Sequence, residues 1–208
     1  MATTTLMERV GARVYDGALA AGERRGMAAR RRRLLATASG RVLEIGAGTG
    51  LNLACYGPAV GELVLAEPVA PMRTRLVARA RRDGVAVEIV DAPGEALPFP
   101  DGAFDVVVST LVLCTVADQD ATLREIRRVL RPGGRLLFIE HVRAEGAARA
   151  WLQGRLARPW RWLAAGCVCD RDTLPAIRRH FPHADAQADA WRGMPALVRP
   201  LVVGVART

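Results

Sequence analysis

The sequence predicts a doubly wound α/β fold. The expected sheet has seven strands, mostly parallel, with helices on both faces and an antiparallel hairpin at the C-terminus. Three observations point to it. Five short apolar runs alternate with helical stretches between Arg41 and His141, the order that builds a parallel sheet. Each run is nearly continuously apolar, as burial on both faces requires. The first, Val42-Leu43-Glu44-Ile45, leads directly into Gly46-Ala47-Gly48-Thr49-Gly50. That is a tight strand-to-helix turn whose glycines permit left-handed backbone and let a ligand approach the main chain.

Residues 12–38 read as a helix interrupted by Gly17, Gly22 and Gly26. The first strand is Arg41 to Ile45. A short helix from Leu51 to Tyr56 stops at Gly57-Pro58. The second strand, Glu62 to Ala66, ends at Glu67. A helix follows over Val69 to Arg82, with Pro71 tolerated in its first turn. Asp83-Gly84 turns the chain into the third strand, Val85 to Val90. The loop from Asp91 to Ala103 is rich in Pro and Gly, and the fourth strand is Phe104 to Ser109. A helix over Gln119 to Leu130 closes at Arg131-Pro132-Gly133-Gly134, and the fifth strand is Arg135 to His141. Beyond it lie a helix over residues 151–165, broken or bent near Pro159, and another from Thr173 to His180. Ala184 to Trp191 and Leu201 to Ala206 form the hairpin. No repeat, linker or second domain is visible. Residues 1–208 are expected to form one domain: a helical segment 1–40, a core 41–142 and a tail 143–208.

Composition sets bounds. The chain has 208 residues, half of them hydrophobic, and a formal charge of +9, ordinary for a soluble domain able to bury a core. It has no lysine, so all 30 basic residues are arginine; this fits a GC-rich coding bias and weakens the pI of 10.9 as evidence of design. No apolar run is long enough to cross a bilayer, and Met1 to Arg13 lacks a secretory signal pattern, so a cytoplasmic location is expected. The arginines are densest from Arg24 to Arg33. They read as a solvated helix face, or as a surface for peripheral contact with an anionic membrane. No aromatic-interleaved basic surface accompanies them, so no nucleic acid is expected as a partner. Cys55, Cys114, Cys167 and Cys169 form no C-x-x-C pair, and His180 and His183 stand alone. Free, reduced thiols and no metal are expected.

In such a sheet the ligand lies outside the carboxyl ends of the strands. Those ends supply Glu44 with the glycine loop, then Glu67, then Asp91 to Glu95, then Ser109 to Leu111, then Glu140 and His141. Acids at four of the five ends suit hydroxyls, amines or positive charge better than a phosphate. An acid about twenty residues past the loop can grip two ribose hydroxyls at once. The spacing is G-x-G-x-G, not the dinucleotide fingerprint G-x-G-x-x-G, and no G-K-[ST] follows, which excludes a P-loop nucleoside triphosphatase.

These residues resemble the class I S-adenosylmethionine-dependent methyltransferases, which have a Rossmann-like fold. The motifs are VLEIGAGTG, the acid of LAEP, DAPGEALPFPDGAFDVVVS and EIRRVLRPGGRLLFIEH, over residues 41–142. The resemblance implies S-adenosyl-L-methionine as cofactor and S-adenosyl-L-homocysteine as product. It implies that Gly46, Ala47 and Gly48 hold the methionine part by backbone contact, and that Glu44 orients the loop or the amine. Glu67 would bind the ribose, and Pro68 and Met72 would flank the adenine. Asp91, Ala92, Gly94 and Glu95 would read its edge, with A-P-G-E where G-D-A-E is commoner. Ser109, Thr110 and Leu111 would cover the sulfonium side, and Asn52 belongs to the same cofactor set. Segment 1–40 becomes a lid and 143–208 the acceptor side.

Outside that core, STLVLCTV, EHV and the tail with Trp151, Trp160, Gly166, Cys167 and Arg171-Asp172-Thr173 resemble the methyltransferase-like thiol S-methyltransferases of animals, which begin with a hydrophobic anchor that this sequence lacks. Bacterial phospholipid N-methyltransferases are also similar in the core and use a basic N-terminal helix. The acceptor is thus expected to be a small molecule, a thiol first. N-methylation of phosphatidylethanolamine, and O- or C-methylation of a natural product, remain open. A cofactor-binding protein without catalysis is the third class. Methyl transfer is an in-line displacement that needs alignment and exclusion of water. His141 is the candidate base and Cys114 a candidate pocket residue. Trp151, Trp160 and Trp162 would cap an apolar acceptor pocket, and Tyr15 would close the lid. Each of these also suits plain packing.

Overall fold

The computed structural model describes residues 5–164 and 166–208, without the side chains of residues 158, 162 and 163; the expected role of Trp162 therefore lies outside the described residues. The N-terminal helix α1 (Leu6–Gly22) starts at a capping box between Thr5 and Glu8. It runs through a wide turn, Glu23–Met27, into α2 (Ala28–Leu35). Of the glycines expected to interrupt this stretch, Gly26 makes the break, at φ 125°; a residue with a β-carbon resists that conformation.

Next come β1 (Gly40–Ile45), a 3₁₀ turn Leu53–Cys55, β2 (Val60–Ala66), α3 (Ala70–Arg82), β3 (Glu88–Val90), β4 (Phe104–Thr110) and α4 (Gln119–Val129). The chain closes with β5 (Leu130–His141), α5 (Ala147–Leu163), α6 (Thr173–His180), β6 (His183–Ala190) and β7 (Pro200–Arg207). The third strand is shorter than its apolar run because it lies at the sheet edge and pairs only with β2. Helix α5 continues through Pro159 instead of breaking.

The strands form one seven-stranded sheet in the order β3-β2-β1-β4-β5-β7-β6. The first five are parallel, and β7 is antiparallel to both β5 and β6. The order reverses between β1 and β4, both of which start at the sheet centre. Leu43, Ile45, Val64, Val107 and Phe138 face one helical layer with Leu123 and Ile126. Val42, Leu65, Val106, Val108 and Leu137 face the other, with Leu35 and Leu76. Register sets Ile45 beside Ala66 and Ser109, so the carboxyl ends of β1, β2 and β4 finish level and their loops meet. That is where ligands bind in sheets of this kind.

Candidate active site at the carboxyl edge of the sheet

Gly46, Gly48 and Gly50 all adopt positive φ, at 54°, 57° and 84°. A β-carbon on Gly46 would lie 2.7 Å from the Val112 side chain, so the first loop position demands glycine on both counts. The loop wraps the end of β1 and leaves a cleft lined by Tyr15, Arg31, Glu44, Gly46, Ala47, Gly48, Thr49, Leu51, Asn52 and Thr110. Six of these are sequence-predicted site residues: Glu44, Gly46, Ala47, Gly48, Asn52 and Thr110.

A buried polar network crosses the cleft. Asn52 donates to Glu44 and to Thr110, both at 2.9 Å, and Tyr56 donates to the other Glu44 oxygen at 2.5 Å. Arg31 Nη1 donates to Asn52 at 2.9 Å and to Thr110 at 3.2 Å, while its Nη2 pairs with Glu23 at 3.2 Å. Burial pushes the Glu44 carboxyl up to about 7, against the pull of Tyr56, Asn52 and Arg31. Burial also raises the Tyr15 hydroxyl to about 12, so Tyr15 is a neutral donor there.

The Glu44 value fixes a sign. Its folded pKa lies above its ordinary value, so the folded state holds the extra proton. The stabilisation is full below about pH 4.5 and is lost as pH rises through 7. Glu44→Gln is therefore expected to flatten the stability–pH curve between pH 5 and 7, gaining up to about 3 kcal/mol relative to the parent at the alkaline end. Chemical denaturation at several pH values checks this; parallel curves would refute it.

Arg31 is the charged residue of the cleft that sequence reasoning missed; Thr49 and Leu51 also line it unpredicted. The cluster from Arg24 to Arg33 reads as a solvated face, but Arg31 is only 4% exposed, and Arg30 pairs with Asp189 on β6. A signal was available: Met27, Arg31 and Leu35 are all buried at spacing i, i+4, i+8, one stripe of a helix. Arg24, Arg25, Arg32 and Arg33 do face solvent. Asp16 on α1 ties the N-terminal segment to the core, accepting from Thr49 and Arg79, both at 2.5 Å.

The other predicted residues sit around this cleft. Glu67 is buried and accepts from the Gly48 N–H at 2.8 Å and the Val69 N–H at 2.7 Å. Burial raises its pKa; the two N–H groups and Arg73 oppose the rise. Pro68 is exposed and Met72 half-buried. Asp91 pairs at 2.7 Å with Arg73, which also holds the Glu67 carbonyl. Ala92 is buried, Gly94 packs on Thr122, and Glu95 accepts from the Ala117 and Asp118 N–H groups.

Glu140 and Ser109 turn inward rather than toward the cleft. Both are fully buried, and Ser109 donates to Glu140 at 2.6 Å. Glu140 also takes the N–H groups of Val112 and Leu113 at 3.1 Å. This grip holds the loop after β4, where Leu111 adopts φ 61°, a conformation that costs a non-glycine residue energy and persists only when its surroundings enforce it.

His141 and Cys114 lie beside the cleft but do not line it. Burial lowers the His141 pKa to about 4, which leaves a neutral ring that is a weak base. Its ring lies 5.6 Å from that of Trp191. The four cysteines form no disulfide among the described residues, and Cys114, Cys167 and Cys169 are buried. Trp160 packs near them while Trp151 is 63% exposed. A second cleft of about 780 Å³ runs between α5, α6 and the ends of β6 and β7. It shares no lining residue with the glycine-loop cleft.

Known proteins align with this arrangement. A family model described as a methyltransferase domain matches residues 43–138. Human thiol S-methyltransferase TMT1A is 35% identical over 176 residues, 79% of this chain and 69% of that protein. Human thiol S-methyltransferase TMT1B is 38% identical over 146 residues, 67% of this chain but only 59% of that protein. The ubiquinone/menaquinone biosynthesis C-methyltransferase UbiE of Hahella chejuensis is 44% identical over 110 residues, 50% of this chain and 43% of UbiE. The N-methyltransferase NodS from Bradyrhizobium japonicum, solved with S-adenosyl-L-homocysteine, shares the fold at a TM-score of 0.68 and 17% identity over 88% of this chain and 86% of its own. A glycine loop with three left-handed glycines, level strand ends carrying Glu44 and Glu67, and these matches lead to one conclusion: the chain belongs to the class I S-adenosylmethionine-dependent methyltransferases, and S-adenosylmethionine is its methyl donor.

Proposed function

We propose that this methyltransferase acts on the sulfur of a small thiol. The observation that carries the reading is the reach of the matches. The UbiE match covers half of the chain, about the length of the glycine-loop core that serves the donor. The TMT1A match covers 79% and so extends into the flanks, where acceptor choice resides.

S-adenosylmethionine supplies a methyl group on a sulfonium, bonded to a good leaving group. The donor set fits it. Arg31 is the single cation among the residues lining the cleft and matches the carboxylate of the amino-acid end. Glu44 and the Gly46–Gly48 backbone match its amine and chain. Glu67, which accepts from the Gly48 N–H, would hold the ribose hydroxyls, Pro68 and Met72 would flank the base, and the Asp91–Glu95 loop would meet its edge. Thr110 and Leu111 would cover the sulfonium side, and Ser109, which donates to Glu140, would act through it. Tyr15 and the Asp16 latch exclude water. A thiol of ordinary pKa, about 8.5, is already partly ionised near neutrality. Orientation and shielding therefore do most of the work, and a His141 held near pKa 4 is not needed as the base.

The test is a screen with isotopically labelled donor against small alkyl thiols, hydrogen sulfide, a quinol and phosphatidylethanolamine vesicles. Labelled thioether is the expected product. Thiols left unlabelled while the quinol gains a C-methyl group would overturn the reading. A second reading, head-group N-methylation at an anionic membrane, is favoured by Leu6, Met7, Val10 and Val14, 51 to 78% exposed on α1, with the solvent-facing Arg24, Arg25, Arg32 and Arg33 following in the chain. No described helix is long and apolar enough to cross a membrane, so contact would be peripheral. Labelled lipid, with retention on anionic vesicles at low salt, would decide for it.

A further inference from the structure

Three chemically active side chains meet in the interior beside the cofactor cleft. Cys114 follows β4, His141 ends β5, and Cys167 lies between α5 and α6. All three are buried, and one donor atom of each lies within 4.8 Å of the other two. The two sulfurs are 3.7 Å apart. Tetrahedral coordination with metal–sulfur bonds of about 2.3 Å separates two sulfurs by about 3.8 Å.

His141 Nδ1 is buried without a hydrogen-bond partner, although the residue is 4% exposed. A buried ring nitrogen left unpaired is costly, and a metal would take its lone pair. The ring lies 5.6 Å from that of Trp191, tilted by 31°, and has the carbonyls of Pro200 and Val198 nearby, the kind of outer contact that orients a ligating imidazole. The loops bearing the cysteines are tied together. Val168 donates to the Cys114 carbonyl at 2.7 Å, and Arg171 holds the carbonyls of Leu113 and Val116, each at 2.8 Å.

We propose that Cys114, His141 and Cys167 bind a thiophilic divalent cation, zinc being the ion that two thiolates and one imidazole suit. On binding, both thiols lose their protons to solvent and the imidazole enters neutral. Cys169 is buried two residues on but outside the group, so three protein ligands leave a fourth position, as in catalytic rather than structural zinc sites. A thiol acceptor can occupy it, shedding its proton to solvent and binding as thiolate. Its sulfur then forms the new S–CH₃ bond as the donor's S⁺–CH₃ bond breaks, with that electron pair passing to the donor sulfur and the metal unchanged. This last step rests on the thiol reading above.

The experiment titrates the 208-residue chain, stripped with a chelator and reduced with a phosphine, with Co²⁺ and then Zn²⁺. One equivalent of Co²⁺ is expected to give thiolate-to-metal charge-transfer absorption and tetrahedral d–d bands, both erased by Zn²⁺. Cys114→Ser and Cys167→Ser should each weaken metal binding by roughly 100-fold or more, while S-adenosylhomocysteine binding reports that they fold. Absence of the charge-transfer band in the parent chain, or equal metal affinity in folded variants, overturns the site. Thiol addition should shift the d–d bands. Unshifted bands during thiol methylation overturn only the coordination step, and a metal-loaded chain that methylates no thiol overturns only the thiol reading.

Discussion

Replacing Glu140 with alanine is expected to cost this protein roughly 3–6 kcal/mol of stability, a large share of the total for a domain of ordinary stability. The side chain is fully buried and accepts three donors: the Ser109 hydroxyl and the Val112 and Leu113 N–H groups. Alanine leaves two backbone N–H groups buried without a partner, at about 1–3 kcal/mol each, and opens a cavity besides. The midpoint of thermal unfolding should fall by roughly 10 °C or more, and Glu140→Gln, which keeps one acceptor, should fall less. The same grip enforces the left-handed Leu111, so any surviving folded protein should lose methyl transfer by more than its donor affinity changes. Unfolding within about 3 °C of the parent would show that the loop after β4 holds itself.

Arg31→Met is expected to weaken S-adenosylhomocysteine binding by roughly 10- to 100-fold, the range of one charge-assisted hydrogen bond. Arg31 reaches the cleft from α2 through Asn52 and Thr110, so its loss also removes a tie between the N-terminal helices and the core. The two effects are separable by calorimetry. With a cofactor analogue lacking the carboxylate, parent and variant should bind alike if Arg31 recognises that group. An equal deficit for both ligands would make Arg31 a structural residue of the lid.

Much of the fold was legible because burial on both faces writes itself as apolar runs. The first four strands and α3, α4 and α6 lie where the sequence placed them, within a few residues, since their periodicity and turn chemistry act locally; β5 starts earlier, at Leu130, and takes in the expected turn Arg131–Gly134 as an irregularity in its pairing with β4. The helix through Pro159 does not follow local rules, because a proline near a helix end is tolerated when the surroundings compensate.

The sequence by itself determined the glycine turn, the acids at the strand ends and therefore the donor. Each needs only a residue type at a fixed distance from a strand end, and a left-handed turn admits only glycine there. Tertiary structure alone decided which polar groups face the cleft and which face inward. Glu44 and Glu140 both end apolar strands, yet one lines the cleft and the other caps a loop. Burial lifted Arg31 out of a run of surface arginines, along a stripe that the i, i+4, i+8 spacing of Met27, Arg31 and Leu35 already marks, and only tertiary structure gathered Cys114, His141 and Cys167 from three segments. The physical reason is shared. Desolvation and pairing depend on neighbours distant in sequence, and the meeting of strand ends, unlike the strands, is a property of the whole sheet.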